Sequence, residues 1–187
     1  LGTASYDSIT EAVDQALGGR HMLRCEDTGR LVLPDAKRIL TTGGHYAHLK
    51  IAEGCDKHCT YCIIPHLRGP YRSVPMERLI EEAEELAGQG VKELILVAQE
   101  TTLYGVDLYG EKSLHKLLQK LCRIHGIRWI RIQYCYPEEI YPELVETMKE
   151  QPKICHYLDL PIQHASNRIL KRMGRRTTRE DLKEIIQ

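Results

Sequence analysis

Three cysteines fall within eight residues, Cys55-Asp56-Lys57-His58-Cys59-Thr60-Tyr61-Cys62, spaced C-x3-C-x2-C with an aromatic residue just before the last. Thiolates are soft ligands that suit iron–sulfur clusters and zinc. This spacing gathers three sulfurs around one small volume and supplies no fourth cysteine. Three protein ligands on a 4Fe–4S cluster leave one iron open to an outside molecule. An open metal position is what catalysis uses and what a structural site avoids. The competing reading is zinc, with His58 or His66 as the fourth ligand, because zinc accepts three cysteines and a histidine. Zinc motifs usually divide their ligands into two separated pairs, and the chain has no second C-x2-C.

The totals bound the setting. A chain of 187 residues suits one domain, or one domain and part of another. Lys plus Arg, 26, equals Asp plus Glu, 26, so the formal net charge is zero. That removes a whole-chain case for a polyanionic partner and leaves only local patches. There are seven cysteines, an odd number, with no secretory signal and no apolar run long enough to span a bilayer. The thiols therefore read as reduced and partly metal-binding, with a cytoplasmic location and no membrane partner expected. The chain opens on Leu1, which reads as an excerpt of a longer protein.

A scaffold must hold these thiols, and from Tyr46 the sequence alternates strand and helix. Ala47 to Ala52 reads as a strand. Pro75 to Ala87 reads as a helix with Leu79, Ile80, Ala83, Leu86 and Ala87 on one face, stopped at Gly88 or Gly90. Glu93 to Ala98 is a continuous apolar run, as expected of a strand buried on both faces. Ser113 can cap a helix through Leu114, Leu117, Leu118, Leu121 and Cys122. Arg128 to Tyr134 and His156 to Leu160 read as strands, separated by a helix from Glu138 to Glu150. Asn167 to Met173 and Thr178 to Ile186 read as helices, with Thr178 and Asp181 spaced as a capping box. Earlier, Ser8 can cap a short helix through Ile9, Ala12, Val13 and Ala16 that ends at Gly18-Gly19. Arg20 to Gly44 reads as a connection with a brief strand at Leu31 to Leu33. Four strands, each followed by a helix, imply an α/β fold with parallel pairing.

C-x3-C-x-aromatic-C after a short strand resembles the signature of the radical S-adenosylmethionine enzymes. The flanks, Leu49-Lys50-Ile51-Ala52-Glu53-Gly54-Cys55, Ile63-Ile64-Pro65 and Arg68-Gly69, resemble the methylthiotransferase branch of that family. Four further stretches resemble its members that methylthiolate the β-carbon of an aspartate in the twelfth protein of the small ribosomal subunit. They are Ala98-Gln99-Glu100-Thr101-Thr102, Tyr104-Gly105, Asp107-Leu108-Tyr109-Gly110 and Leu160-Pro161-Ile162-Gln163-His164. The resemblance runs from about Leu40 to the last residue. It implies a partial parallel (β/α) barrel of six units, of which this chain holds about four. It assigns 1–45 to the end of an amino-terminal methylthiotransferase domain plus a linker, and 46–187 to the radical domain. The amino-terminal domain of the family binds a second 4Fe–4S cluster through three further cysteines; here only Cys25 precedes Cys55.

The resemblance also implies the cofactors and partners. Cys55, Cys59 and Cys62 would hold a 4Fe–4S cluster whose open iron takes the amino and carboxyl groups of S-adenosylmethionine. An electron from a flavodoxin-like donor would cleave it to methionine and a 5′-deoxyadenosyl radical. The radical would take hydrogen from the aspartate β-carbon before transfer of a methylthio group assembled on the second cluster. Tyr61 would meet the adenine, the alternative being plain core. Gln99 and Glu100 stand where the family often carries Gly-Gly-Glu against the methionine ammonium; this sequence departs at both glycines and keeps Glu100, and the alternative is a solvated loop. Arg131 and Gln133 share one face of the third strand. They meet the cofactor if that face is the lumen, and lie under helices if it is not. Gln163 and His164 end the fourth strand, within reach of cofactor or substrate.

Cys122 reads as core, and Cys135 and Cys155 lack partner spacing. Arg168, Lys171, Arg172, Arg175, Arg176 and Arg179 read as a solvated helix face, with a ribosomal or RNA docking surface as the sharper alternative. Besides the reading of this excerpt as only a scaffold piece with an empty site, two rival functions remain. One is methylthiolation of a transfer-RNA adenosine, by enzymes whose second strand ends Gly-Gln-Asn. The other is a zinc-binding module with no reaction. The excerpt alone is expected to bind a cluster but not to transfer a methylthio group.

Overall fold

Strand and helix alternate because the apolar spacing does, switching from a period of two to a period near 3.6 along the chain. The computed structural model describes residues 1–30, 38–41 and 43–187; the strand expected at Leu31 to Leu33 lies outside them. A 3-10 turn at Tyr6–Ser8 leads into α1 (Ile9–Leu17), which buries none of its residues. β1 (Tyr46–Lys50) is followed by β2 (Ala52–Glu53), α2 (Ile64–Arg68), β3 (Arg72–Ser73) and α3 (Met76–Gly88). Then come β4 (Glu93–Val97), α4 (Val106–Tyr109), α5 (Leu114–Cys122), β5 (Trp129–Ile132), α6 (Pro142–Glu150), β6 (Ile154–Leu158), α7 (Asn167–Arg172) and α8 (Arg179–Ile186). β1, β4, β5 and β6 form one sheet in that order, all parallel, with a register irregularity between β5 and β6. β2 and β3 form a separate antiparallel pair.

The main sheet has two unlike faces. Ala47, Leu49, Leu94, Leu96, Ile130 and Ile132 are buried against Leu79, Ala83 and Leu86 of α3, Leu117, Leu118 and Leu121 of α5, and Leu144 and Met148 of α6. The alternate residues, among them Lys50, Glu93, Ile95, Val97 and Arg131, are half-buried or exposed. β4 was expected to be buried on both faces and is fully buried on one, because its other face is turned to the open side of the sheet.

Several expected boundaries shift for identifiable reasons. The helix expected from Glu138 divides into a 3-10 turn at Pro137–Glu139 and α6, because the residue before Pro142 is driven to extended backbone; Tyr141 has φ −141° and ψ 155°. Ser8 and Ser113 make no side-chain cap, and the Ser113 hydroxyl donates instead to the Glu111 carbonyl at 3.1 Å. Thr178 and Asp181 do form the full capping box. Among the described residues no helix is long and apolar enough to cross a membrane.

The stretch Tyr104 to Gly110, which carries no evident chemistry, acts as a clamp on β3. Asp107 accepts from the Ser73 backbone N–H at 2.8 Å and from its hydroxyl at 2.6 Å. Gly105 N–H donates to the Ser73 hydroxyl at 2.9 Å, the buried Tyr104 hydroxyl donates to the Val74 carbonyl at 2.8 Å, and Tyr109 accepts from Met76 N–H at 2.9 Å. Gly105, at φ 90°, has no room for a side chain: a Cβ would stand 2.7 Å from that of Ser113. Asp107→Ala removes two bonds and leaves part-buried Ser73 donors unpaired. It should lower unfolding free energy by about 1–3 kcal/mol in urea titration, and an unchanged midpoint would show that the clamp carries no load.

Candidate functional site

The segment between β2 and β3 is the cysteine loop, so the short antiparallel pair closes it at the base. Residues 54 and 69–71 meet there. Gly54 has φ 82°, and a Cβ on it would fall 2.0 Å from the Pro70 carbonyl oxygen, a separation no side chain tolerates. Cys55 N–H donates to the Gly69 carbonyl at 3.2 Å, and Asp56 accepts from Tyr71 N–H at 3.0 Å. Cys62 N–H closes a turn on the Cys59 carbonyl at 3.0 Å, so all three thiols leave one tight stretch of backbone. The loop is also held from the carboxyl-terminal side. Thr60 donates its N–H to the Met173 carbonyl and its hydroxyl to the Arg172 carbonyl, each at 3.1 Å. Lys57 pairs with Glu139.

Two cavities flank the loop. One, of about 400 Å³, is lined by Cys55 and Cys62 with Lys50, Ala52, Ile64, Val97, Ala98, Gln99, Tyr134 and Tyr136. It lies at the carboxyl ends of β1, β4 and β5, where barrel enzymes of this kind carry out their chemistry. The other, of about 330 Å³, is lined by Cys59, Lys57, His58, Glu138, Glu139, Arg175 and Arg176 among others, and Tyr136 borders both. The Tyr136 hydroxyl is 4.0 Å from the Cys59 sulfur.

The stretch from Ala98 to Thr102 binds this region together. Gln99 borders the larger cavity and accepts from Gly54 N–H at 2.8 Å. Thr101 donates its N–H to the Tyr134 carbonyl at 3.1 Å and its hydroxyl to the Gln133 carbonyl at 2.8 Å. Glu100 is wholly buried and lines neither cavity. Its Oε1 accepts from Thr102 and, at 3.4 Å, from Tyr136 N–H, while its Oε2 has no partner among the described residues. Burial pushes its carboxyl up to about 7, against the pull of the Thr102 hydroxyl and the Lys57 ammonium.

The remaining expected residues are dispersed. Tyr61 is 52% exposed and does not border the larger cavity. Arg131 lies on the same sheet face as Val97, but its guanidinium bonds Glu93 at 2.7 Å and covers the Tyr157 ring at 5.6 Å, outside both cavity walls. Gln163, at φ 65°, is exposed beyond β6, and His164 accepts from Ser166 N–H at 2.8 Å. Cys122 is buried in the core, as its helix spacing indicates. Arg175 corrects the reading of the basic segment as a solvated face. Its side chain is 1% exposed and pairs with Glu138 at 3.1 Å, because the chain turns inward at Gly174 and packs it on the Tyr136 ring at 4.3 Å.

Tyr134 and Tyr136 were not singled out from the sequence. Tyr134 holds φ 59°, a conformation that costs about 1–3 kcal/mol for a residue with a side chain. It is fixed there by Thr101 and by its own N–H on Asp159 at 3.3 Å. An aromatic pair straddling a cysteine just past a strand end was the available signal.

The donor set fits a cluster. All three thiols are free of disulfides, and Cys55 and Cys59 are buried. Burial pushes the Cys55 thiol up, and the charges of Glu100, Cys59 and Cys62 add to the shift. A bound cationic centre relieves that crowding. Among the described residues no three His, Cys, Asp or Glu converge where one metal ion could sit.

The model of the radical SAM superfamily matches residues 49–187. The chain belongs to the radical SAM superfamily. Within it, the chain is 66% identical over 186 residues to a protein of Lachnoclostridium phytofermentans named ribosomal protein uS12 methylthiotransferase RimO, and 51% identical over 183 residues to a protein of that name from Clostridium perfringens. These alignments cover 100% and 97% of this chain; the chain spans 42% and 41% of the length of those relatives. Among solved structures, the radical SAM methyltransferase TsrM of Kitasatospora setae aligns over 76% of this chain and 28% of its own, at TM-score 0.59 and 18% identity. The cobalamin-dependent radical SAM enzyme OxsB aligns over 74% of this chain and 21% of its own, at TM-score 0.58 and 19% identity. Those likenesses establish the radical SAM fold.

Two outcomes follow. Gly54→Ala should open the loop, so that Cys55 and Cys59 in the metal-free protein react with a maleimide many times faster than in the unsubstituted chain; equal rates would contradict the clamp. Glu100 binds its proton more tightly folded than unfolded. Its stabilising contribution is therefore complete below the usual 4.5 and is lost as pH rises through about 7. That loss is roughly 3 kcal/mol. Urea unfolding of the metal-free chain should show this decline, and Glu100→Gln should flatten it.

Proposed function

We propose that this chain is the S-adenosylmethionine-cleaving part of a methylthiotransferase that acts on an aspartate of the uS12 ribosomal protein, in the cytoplasm. The observation that carries the reading is the 66% identity to a named uS12 methylthiotransferase across the whole of this chain, joined to a cysteine loop that opens on a 400 Å³ cavity at the strand ends. In this reading 46–187 form the radical domain. Residues 1–45 end a preceding domain, which in the complete protein holds a second cluster through its own cysteines.

Cys55, Cys59 and Cys62 hold a 4Fe–4S cluster in this account. When bound, that cluster supplies the one electron that splits S-adenosylmethionine into methionine and a 5′-deoxyadenosyl radical. The chain's own residues do the placing. Gln99 and the backbone of Ala98 present oxygen acceptors at the cavity wall, where a cofactor ammonium is stabilised by charge-assisted bonds. Val97 and Ile64 give that wall an apolar part, and Tyr134 offers a ring face to an adenine. Lys50 puts a cation at the rim for a carboxylate. Tyr61, Glu100, Arg131 and Gln163 stay in the proposal as further cofactor contacts. Arg131 joins only by leaving Glu93, and Glu100 acts most directly by bonding Tyr136 N–H and so fixing the cavity wall. The site calls for no acid–base pair, and the described side chains that border the cavity include no carboxylate or histidine. A flavodoxin-like protein is the proposed electron donor, and contact with ribosomal RNA is proposed through the exposed arginines and lysine near α7.

Anaerobic loading with iron and sulfide should yield equal amounts of both bound to the unsubstituted chain, and Cys55→Ser, Cys59→Ser or Cys62→Ser should each abolish binding. One zinc per chain without sulfide would contradict the reading and leave a binding module. The complete enzyme should modify uS12 and leave transfer RNA unmodified; the reverse would transfer the assignment to the sister activity.

A further inference from the structure

Within the basic segment, whose residues are all described, Arg175 is buried while Arg168, Lys171, Arg172, Arg176 and Arg179 are exposed. Its position is firmly set. Gly174 lies against the cysteine loop with φ 73°, and a Cβ there would come 2.8 Å from the His58 carbonyl oxygen. Arg175 N–H donates to the Leu170 carbonyl at 2.9 Å. Nη2 donates to Glu138 at 3.1 Å and to the Pro161 carbonyl at 3.4 Å, and Thr177 donates to the same Glu138 oxygen at 2.7 Å. Nε and Nη1 are inaccessible to water and have no hydrogen-bond partner among the described residues. A guanidinium out of water with donors unmatched is costly, and its planar fork can serve two acceptors at once. Glu138 is one of them. Cys59 is the candidate considered for the other: it borders the same smaller cavity as Arg175, and its sulfur lies 4.0 Å from the hydroxyl of Tyr136, whose ring Arg175 covers.

We propose that Arg175 is a positioning residue for Cys59, donating an N–H bond from one of its unmatched nitrogens, Nε or Nη1, to the Cys59 sulfur when that sulfur is a metal-bound thiolate. This rests on the cluster reading above. Glu138, Thr177 and the Tyr136 ring hold the fork in place, and one free donor then completes the outer shell of one ligand. Hydrogen bonds to a ligand sulfur stabilise the more negative, reduced cluster and so raise its reduction potential. Arg175 therefore makes it easier for a one-electron donor to reduce this cluster, without touching the cavity where S-adenosylmethionine is proposed to bind.

The test is a redox titration of the iron-loaded chain, followed by paramagnetic resonance, on the unsubstituted protein and on Arg175→Lys, Arg175→Gln and the exposed control Arg168→Gln. Arg175→Lys keeps the charge and the reach to Glu138 but loses the fork. Both Arg175 variants should make reduction at least tenfold less favourable, about 59 mV for one electron, and the control should match the unsubstituted protein. If Arg175→Gln fails to fold because Glu138 loses its charged partner, Arg175→Lys decides. An unchanged potential in Arg175→Lys with full iron and sulfide content overturns the proposal. So does loss of the cluster from both Arg175 variants, which would make the residue a structural strap. If the unsubstituted chain binds no cluster, the cluster reading itself fails and this inference falls with it.

Discussion

The contact between Gly54 and the Pro70 carbonyl governs the site. It lets the two ends of a long, polar loop meet beside β1, and the two-residue pairing of β2 with β3 holds them there. Such a pairing is too short to be stable alone. It is sustained by Asp107, Tyr104 and Tyr109, which fix β3 and the start of α3, and by Gln99, which bonds Gly54 itself. Much of the chain from residue 98 to 110 serves to close a loop that lies far earlier in the sequence.

Closure sets the electrostatics. Cys55, Glu100 and the Tyr136 hydroxyl are packed into one poorly hydrated region, where burial raises the proton affinity of all three and neighbouring negative charge adds to the shift at Cys55 and Tyr136. Lys57 and Arg175, both near the Tyr136 ring, supply the opposing charge. Such a region is unfavourable for thiolates unless a cation shares it, which is the physical argument behind the proposed cluster. The larger cavity opens on the strand ends, so a molecule bound there would meet Cys55 and Cys62 from the side where β4 and β5 present Gln99 and Tyr134.

Much of this was legible in the sequence. Leu94 and Leu96 marked β4, Leu117 to Leu121 marked α5, and the cysteine spacing marked the centre. The family resemblance agreed with the superfamily match. What local pattern could not supply was anything created by distant contact. β2 and β3 are too short to leave a periodic signal. Pro142 divided a helix that the apolar spacing alone would have continued. Arg175 looked like its exposed neighbours because burial there depends on Gly174 turning the chain into the cysteine loop. Tyr104 to Gly110 read as a family signature without a role, and its role appears only once Ser73 is placed beside it. The cofactor contacts were the least legible, since the side chain that a strand residue directs to the lumen can be diverted by a neighbour, as Glu93 diverts Arg131.

The measurement that tests the account most directly is the paramagnetic resonance spectrum of the reduced, iron-loaded chain with and without S-adenosylmethionine. A reduced-cluster signal that changes on addition shows an iron with a position open to the cofactor, as three cysteine ligands beside an open cavity require. A signal indifferent to S-adenosylmethionine, from a chain carrying its full iron and sulfide, would contradict the claim that this loop and cavity form one site.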